Sequence, residues 1–314
     1  MSAPGLSSRT AGVGAASRRF GGNSVLRAVG YTCLAAAFFP VLNASVKYLG
    51  LRYPVTELFF VRYAVHCLIC LALFLPRYGL GLFATTRPGV HAVRAFLLFS
   101  ASAFYFLGLL TIDLPTAAAI SFAGPIFVTA FSVPILREKV GPRRWTAILV
   151  GFLGALVIIR PGTAVMQWGA VLVLIDTLCY GLYQVLSRKV GGQDPAYTSI
   201  TLAGLGGLLL ASLFLPFYPL QLPRSAMDAA LLASLGLWGL LGHFFVIKAF
   251  QWGRAAVVAP VGYVELIGAT LLGWLLFQEF PDGWTWLGAA IIVASGLYIT
   301  LREHRLQRLR GPGV

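Results

Sequence analysis

The chain has 314 residues, of which 58% are hydrophobic and only 11% charged, and its mean hydropathy is +0.83. Ordinary soluble domains carry about 25% charged residues, so a soluble fold is excluded. The net charge of +14 sits between hydrophobic stretches rather than in one basic face, which argues against a nucleic-acid partner. No Gly-x-x-x-x-Gly-Lys-Ser/Thr phosphate loop occurs, and no gap is long enough for a nucleotide-binding or catalytic unit.

About 20 apolar residues cross a bilayer as a helix. Ten such segments are predicted, at about 28–47, 56–75, 91–110, 115–135, 144–160, 167–187, 197–216, 228–249, 255–277 and 284–301, with a longest connection near 76–90. Residues 1–24 are rich in Ser, Gly, Ala and Arg without a single acid and read as a disordered tail; 302–314 read as a basic tail. Ser17-Arg18-Arg19-Phe20 faintly resembles a twin-arginine signal. The segment after it lacks a small-residue cleavage site, so it reads as the first spanning helix.

An ionisable group near the bilayer centre costs at least about 2.5–3.5 kcal/mol and normally faces a bundle interior or a watery cavity. The polar residues of each span therefore carry the functional signal. Segment one places Ala36, Pro40, Asn43 and Lys47 in one helical stripe. In segment two, Glu57, Arg62 and His66 start at the outer boundary, and Arg62 is expected to reach that surface. Cys67 and Cys70 lie one turn apart beside His66, but a metal site needs three or four converging ligands, so packing is expected instead. Segment three contributes Tyr105, and Arg94 near its end is expected to snorkel to the interface. Segment four offers Ser121, Gly124 and Pro125. Segment five is nearly featureless apart from Gly151 and Gly154.

Segment six carries Asp176, Tyr180, Tyr183 and Ser187 at spacings of four, three and four, with Gln184 beside them. This polar stripe reads as a cavity wall, the bland alternative being a hydrogen-bonded seam between helices. Segment eight adds His243 and Lys248. In segment nine Gly262, Glu265, Gly268 and Ala269 share a face, with Tyr263 adjacent. Small residues let helices approach closely in lipid, so segments four and nine are expected to pack together. Segment ten, like five, reads as lipid-facing or as a homodimer surface.

The chain is also written twice. Leu73-Phe74-Leu75-Pro76 recurs as Leu213-Phe214-Leu215-Pro216, an offset of 140; Glu138 maps onto Glu279 at 141 and Gly154 onto Gly296 at 142. The halves are 25–160 and 161–301, five segments each. An odd number of crossings turns the second copy upside down in the membrane, the arrangement found in alternating-access transporters. The basic clusters at 9–27, 137–144, 188–189 and 302–310 then share one side, and only Arg52, Arg160 and Arg224 lie on the other. Lys47 stands near the boundary. By the positive-inside rule both termini are expected in the cytoplasm.

The run Thr116-Ala117-Ala118-Ala119 through Pro125 to Arg137-Glu138-Lys139-Val140, then Gly151 and Gly154, resembles the end of one EamA-type repeat. Ala255-Ala256-Val257-Val258-Ala259-Pro260, then Gln278-Glu279 and Ala294-Ser295-Gly296-Leu297-Tyr298, resembles the end of the second. Over about 28–301 the chain is similar to the drug/metabolite transporter superfamily.

That resemblance implies an all-α integral membrane fold of ten helices in two inverted five-helix repeats. Segments one, three, four, six, eight and nine would surround a cavity. It also implies gradient-driven movement of an amino acid, a vitamin-like compound or a cationic compound across a bacterial inner membrane, with export as the family habit. The superfamily's small multidrug exporters use a buried Glu on their first helix. Segment one has none, so simple proton-for-cation drug efflux is not expected.

Candidate solute and proton residues are Asn43, Lys47, Tyr105, Ser121, Asp176, Tyr180, Tyr183, Gln184, His243, Tyr263 and Glu265, with no cofactor and no metal. Glu265 either carries a proton or binds a cationic group. The alternative is a membrane-embedded enzyme or carrier for a lipid-linked substrate. An enzyme needs a converging nucleophile and base or metal ligands, which the scattered acids and histidines do not supply.

Overall fold

A computed structural model describes residues 22–137, 141–162, 167–190, 194–252 and 261–309. Glu138, the Ala255–Pro260 motif, most of the tail 1–24 and the last residues of the chain lie outside them. The helices are α1 (Gly22–Gly50), α2 (Val55–Tyr78), α3 (Pro88–Leu109), α4 (Leu114–Ser121), α5 (Gly124–Leu136) and α6 (Pro142–Ile159) in the first half. The second half holds α7 (Trp168–Val190), α8 (Ala196–Ser212), α9 (Ala226–Trp252), α10 (Glu265–Phe277) and α11 (Gly283–Leu309). Six stretches, among them the α4–α5 pair taken as one, are long and apolar enough to cross a membrane, and four shorter apolar helices complete ten elements. Ten apolar helical elements among the described residues, five in each half, match the expectation.

The repeat is visible in the backbone. The fourth element breaks at Phe122–Ala123, and α5 resumes at Gly124; in the second half Tyr263–Val264 form a turn, and α10 resumes at Glu265. Gly124 and Glu265 are the residues that the 141 offset pairs. Both resumed helices have 13 residues, and both end on a non-glycine residue in the left-handed region, Arg137 (φ 56°) and Gln278 (φ 58°).

Packing follows the same exchange. Helix α1 lies along α9, and its counterpart α7 lies along α3; α2 touches α9 as α8 touches α3. Helices α2 with α8 and α6 with α11 are their own counterparts and meet at the pseudo-twofold axis.

Two packing expectations are corrected. The close glycine seams lie between α6 and α11 and between α3 and α7, where a Cβ added at Gly108 would stand 2.6 Å from the Gly169 carbonyl oxygen; the fourth and ninth elements do pack together, but not through Gly124. A Cβ added at Gly288 would stand 2.6 Å from the Gly154 carbonyl oxygen, whereas one at Gly124 would meet nothing nearer than Thr177, at 3.9 Å. Gly268 is instead closed by Pro40 of α1, and the fourth and ninth elements touch through Pro115 and Gly273. Gly154 of α6 and Gly288 of α11 thus face each other. The outer faces of these two helices, with Leu149, Leu153 and Leu287 exposed, remain for lipid or a second copy. The longest connection among the described residues is 213–225, not 76–90, because residues 79–83 form a short 3-10 helix.

Candidate functional site

Buried polar groups are normally partnered, so the partners show which stripe residues serve the fold. Lys47, near the end of α1, donates to the Ile112 carbonyl (2.7 Å) and pairs with Glu279 Oε1 (2.5 Å). Glu279 Oε2 accepts the Leu114 backbone N–H at 3.0 Å, one of the N–H groups that a helix start leaves without a partner. This clip ties α1, the start of α4 and the segment after α10. Alongside it, Asp228 accepts Tyr53 Oη (2.9 Å) and Arg52 (3.1 Å), closing the α1–α2 turn onto α9.

The opposite end is tied by a chain of bonds. Asp194 Oδ2 accepts Thr85 Oγ1 at 2.7 Å and His91 Nε2 at 2.8 Å, and Arg94 donates to His91 Nδ1 at 3.0 Å and to Ser187 Oγ at 2.9 Å. Arginine has only donors, so His91 Nδ1 must accept and the proton sits on Nε2, facing Asp194. Arg94 does not snorkel: it is buried, with its guanidinium 5.2 Å over the Tyr183 ring.

Hydrogen bonds from Thr85 and His91 hold the Asp194 carboxyl below the usual aspartate range. A carboxylate depressed in the folded state stabilises the fold above its unfolded value of about 3.9 and loses that contribution as pH falls through the lower value. Asp194→Asn is therefore expected to lower the melting temperature of the purified protein at pH 7 and pH 5 alike. The gap to wild type should narrow only below the ordinary aspartate value. A gap that closes between pH 7 and pH 5 would contradict this tie.

Between the two ends the remaining stripe residues converge. Asn43 of α1 donates to Tyr105 Oη of α3 at 3.0 Å. Tyr180 and Tyr183 of α7 stack at 5.7 Å between ring centroids, and Tyr180 Oη reaches His243 Nδ1 of α9 at 3.5 Å. His243 also meets Phe39 edge-on at 5.3 Å. The charges of Asp176 and Glu265 act on both Tyr105 and Tyr180, so the two acids lie near the same pair of tyrosines. Neither acid has an ion pair or a hydrogen bond among the described residues. Gln184 is half-buried on α7.

Glu265 stands in the first turn of α10. There a helix dipole returns roughly 0.3–1 kcal/mol to a carboxylate, less than the cost of about 2.5–3.5 kcal/mol of placing it mid-membrane. Its place in the helix does not by itself account for it.

Three candidates lie apart from this group. Lys47 belongs to the end clip. Ser121 donates back to the Ala117 carbonyl of its own helix at 3.1 Å. Tyr263 packs edge-on against Phe122 at 4.9 Å and lines an apolar groove with Leu266, Thr270 and Trp274.

One central residue was not expected. Arg62 does not reach the outer surface; it is 8% exposed, with its guanidinium 5.3 Å over the Phe106 ring. It lies seven residues into α2, about 10 Å along the axis, and the bare faces of Gly236 and Gly239 on α9 leave room for it. Those two glycines, three apart, were the signal in the sequence.

The EamA-like transporter family matches residues 26–160 and 167–301, one match for each repeat. The chain belongs to that family. Among EamA-like relatives, an S-adenosylmethionine uptake transporter of Rickettsia prowazekii is 30% identical over 82% of this chain and 87% of its own. A riboflavin transporter of Rhizobium johnstonii is 31% identical over 88% and 91%, and a pseudopaline exporter of Pseudomonas aeruginosa is 29% identical over 83% and 92%. A crystal structure of another protein superposes with a TM-score of 0.61 at 18% identity, covering 88% of this chain and 96% of that one, which shows the fold alone. The EamA-like chain is a multi-pass membrane transporter rather than an enzyme.

Proposed function

We propose that the chain is a gradient-driven secondary transporter of a bacterial inner membrane, carrying a small amphipathic metabolite by alternating access with export as its net direction. The observation that supports this most is the pair Asp176 and Glu265. They lie near the same pair of tyrosines, without ion-pair partners among the described residues, between two ends that are each tied by polar bonds. A space there can open to one side when one set of ties releases. Tyr105, Tyr180 and Tyr183 add aromatic faces and hydroxyls suited to an amino acid, a flavin-like ring or a cation.

The relatives named for S-adenosylmethionine, riboflavin and pseudopaline support a small-metabolite solute. They are named for uptake as well as export, so direction rests on family habit. In this reading Glu265 carries the coupling proton or meets the solute's cation, and the outer faces of α6 and α11 are the homodimer surface if the protein pairs. Flux of labelled S-adenosylmethionine and riboflavin in right-side-out and everted vesicles tests it. Saturable flux that collapses with a protonophore is expected, faster in the outward sense. Flux equal to that of vesicles lacking the protein, for these and for a panel of amino acids, would contradict it.

Both termini belong in the cytoplasm on this reading, because the basic residues gather on that side. Cysteines placed in loops 48–55 and 217–227 are expected to react with an impermeant thiol reagent in intact cells. Protection of both, with labelling in 190–196, would reverse the topology.

A further inference from the structure

Arg62 has a structural setting that neither the repeat nor the end ties require. Its side chain is buried, and no carboxylate reaches it within ion-pair distance among the described residues. No hydrogen bond to its guanidinium is found there either. It leans on two rings, Phe106 at 5.3 Å and Tyr63 at 5.5 Å. Helix α9 is hollowed to admit it: a Cβ on Gly239 would sit 3.2 Å from Arg62 Nε, and one on Gly236 would sit 2.6 Å from the Arg62 carbonyl oxygen. A guanidinium offers five N–H donors in a planar fork, and ring faces satisfy its charge but none of those donors.

The charge of Arg62 acts on Asp176, Tyr180 and His243, and Gly239, one turn before His243 on α9, faces its Nε, so the guanidinium lies in the same polar cluster as Asp176. A fixed fork of donors that lacks an acceptor is matched by a planar anion held by two parallel hydrogen bonds. A phosphate dianion is a poor match, because Asp176 and Glu265 would repel its second charge. A carboxylate on a molecule that also carries a cation offers a partner to the guanidinium and to the acids at once.

The geometry points to Arg62 as the carboxylate subsite of the central cavity, with Asp176 and Glu265 taking the cationic end of the same solute, which is therefore a zwitterion of the amino-acid kind. This rests on the transporter reading of the cavity. The competing structural role is that of a through-space partner of Asp176 that never touches solute.

The test is solute binding by the purified protein in nanodiscs, read as thermal stabilisation. The probes are S-adenosylmethionine, L-methionine, L-lysine and L-phenylalanine, each beside its decarboxylated amine, with riboflavin as a probe without a carboxylate. At least one zwitterion is expected to bind tenfold or more tightly than its decarboxylated partner. Arg62→Gln is expected to erase that preference without weakening the binding of the amine. Arg62→Lys keeps the charge but loses the fork, and is the variant to read if the glutamine protein does not fold. It should weaken the zwitterion several-fold and leave the amine unchanged.

Equal binding of acid and amine by wild type, binding of none of the four zwitterions, or a preference that survives undiminished in either variant would overturn the assignment. A purely structural Arg62 would show itself by lower stability with the acid-over-amine ratio intact. Saturable riboflavin flux with no zwitterion binding would leave the transporter reading standing and remove this inference alone.

Discussion

Glu265→Gln is expected to abolish gradient-driven transport while expression, membrane insertion and melting temperature stay close to wild type. Glutamine is nearly isosteric, and Glu265 makes no ion pair or hydrogen bond among the described residues that the substitution would break. Its loss therefore falls on function rather than on packing. Two arms separate its roles. If Glu265 carries the coupling proton, the variant still exchanges labelled for unlabelled solute across proteoliposomes but no longer accumulates it. If Glu265 binds the solute's cation, exchange is lost as well. A variant with wild-type rate and wild-type pH dependence would remove Glu265 from the mechanism.

Asp176→Asn is expected to cost transport more than Tyr180→Ala or Tyr183→Ala. A carboxylate about 4 Å from a cationic group is worth roughly 4 kcal/mol at an effective dielectric of about 20. An aromatic face under a cation is worth about 0.5–2 kcal/mol. The aspartate substitution should thus lower apparent affinity by about a hundredfold or more and each tyrosine substitution by about two- to thirtyfold, where 1.4 kcal/mol is tenfold. Tyr180 also holds His243, so its loss is expected to reduce stability slightly. Transport is therefore to be normalised to folded protein in every case. If all three substitutions chiefly destabilise the protein and leave transport per folded molecule unchanged, the stripe is a packing seam.

The architecture was legible in the sequence because the membrane leaves few choices. Every backbone polar group must bond within its own helix, so ten apolar runs give ten helices, and two runs in one register give the exchange of α1–α9 with α7–α3. The break positions were legible only as a pairing: Gly124 and Glu265 share a register, but nothing in either residue announces that its helix starts there.

Side-chain direction was read less well. Arg62 and Arg94 lie within a few turns of their helix ends, where snorkelling is the ordinary outcome. What overrode it was tertiary structure: the glycine face of α9 for Arg62, and the His91–Asp194 tie for Arg94. The glycines of segments four and nine misled in the same way, since a small residue marks close packing without naming the partner: Gly268 is closed by Pro40 of α1.

The central claim is that one space around Tyr180 opens alternately to the two sides of the membrane. The direct measurement places a lone cysteine there, Tyr180→Cys, in a background whose four native cysteines are replaced, and labels it with an impermeant thiol reagent in right-side-out and in everted vesicles. Labelling from both sides is expected, with saturating solute slowing both rates, and with Asp194→Asn raising the rate from the cytoplasmic side alone. Labelling from neither side, or from one side only under every condition, would contradict alternating access through this cavity.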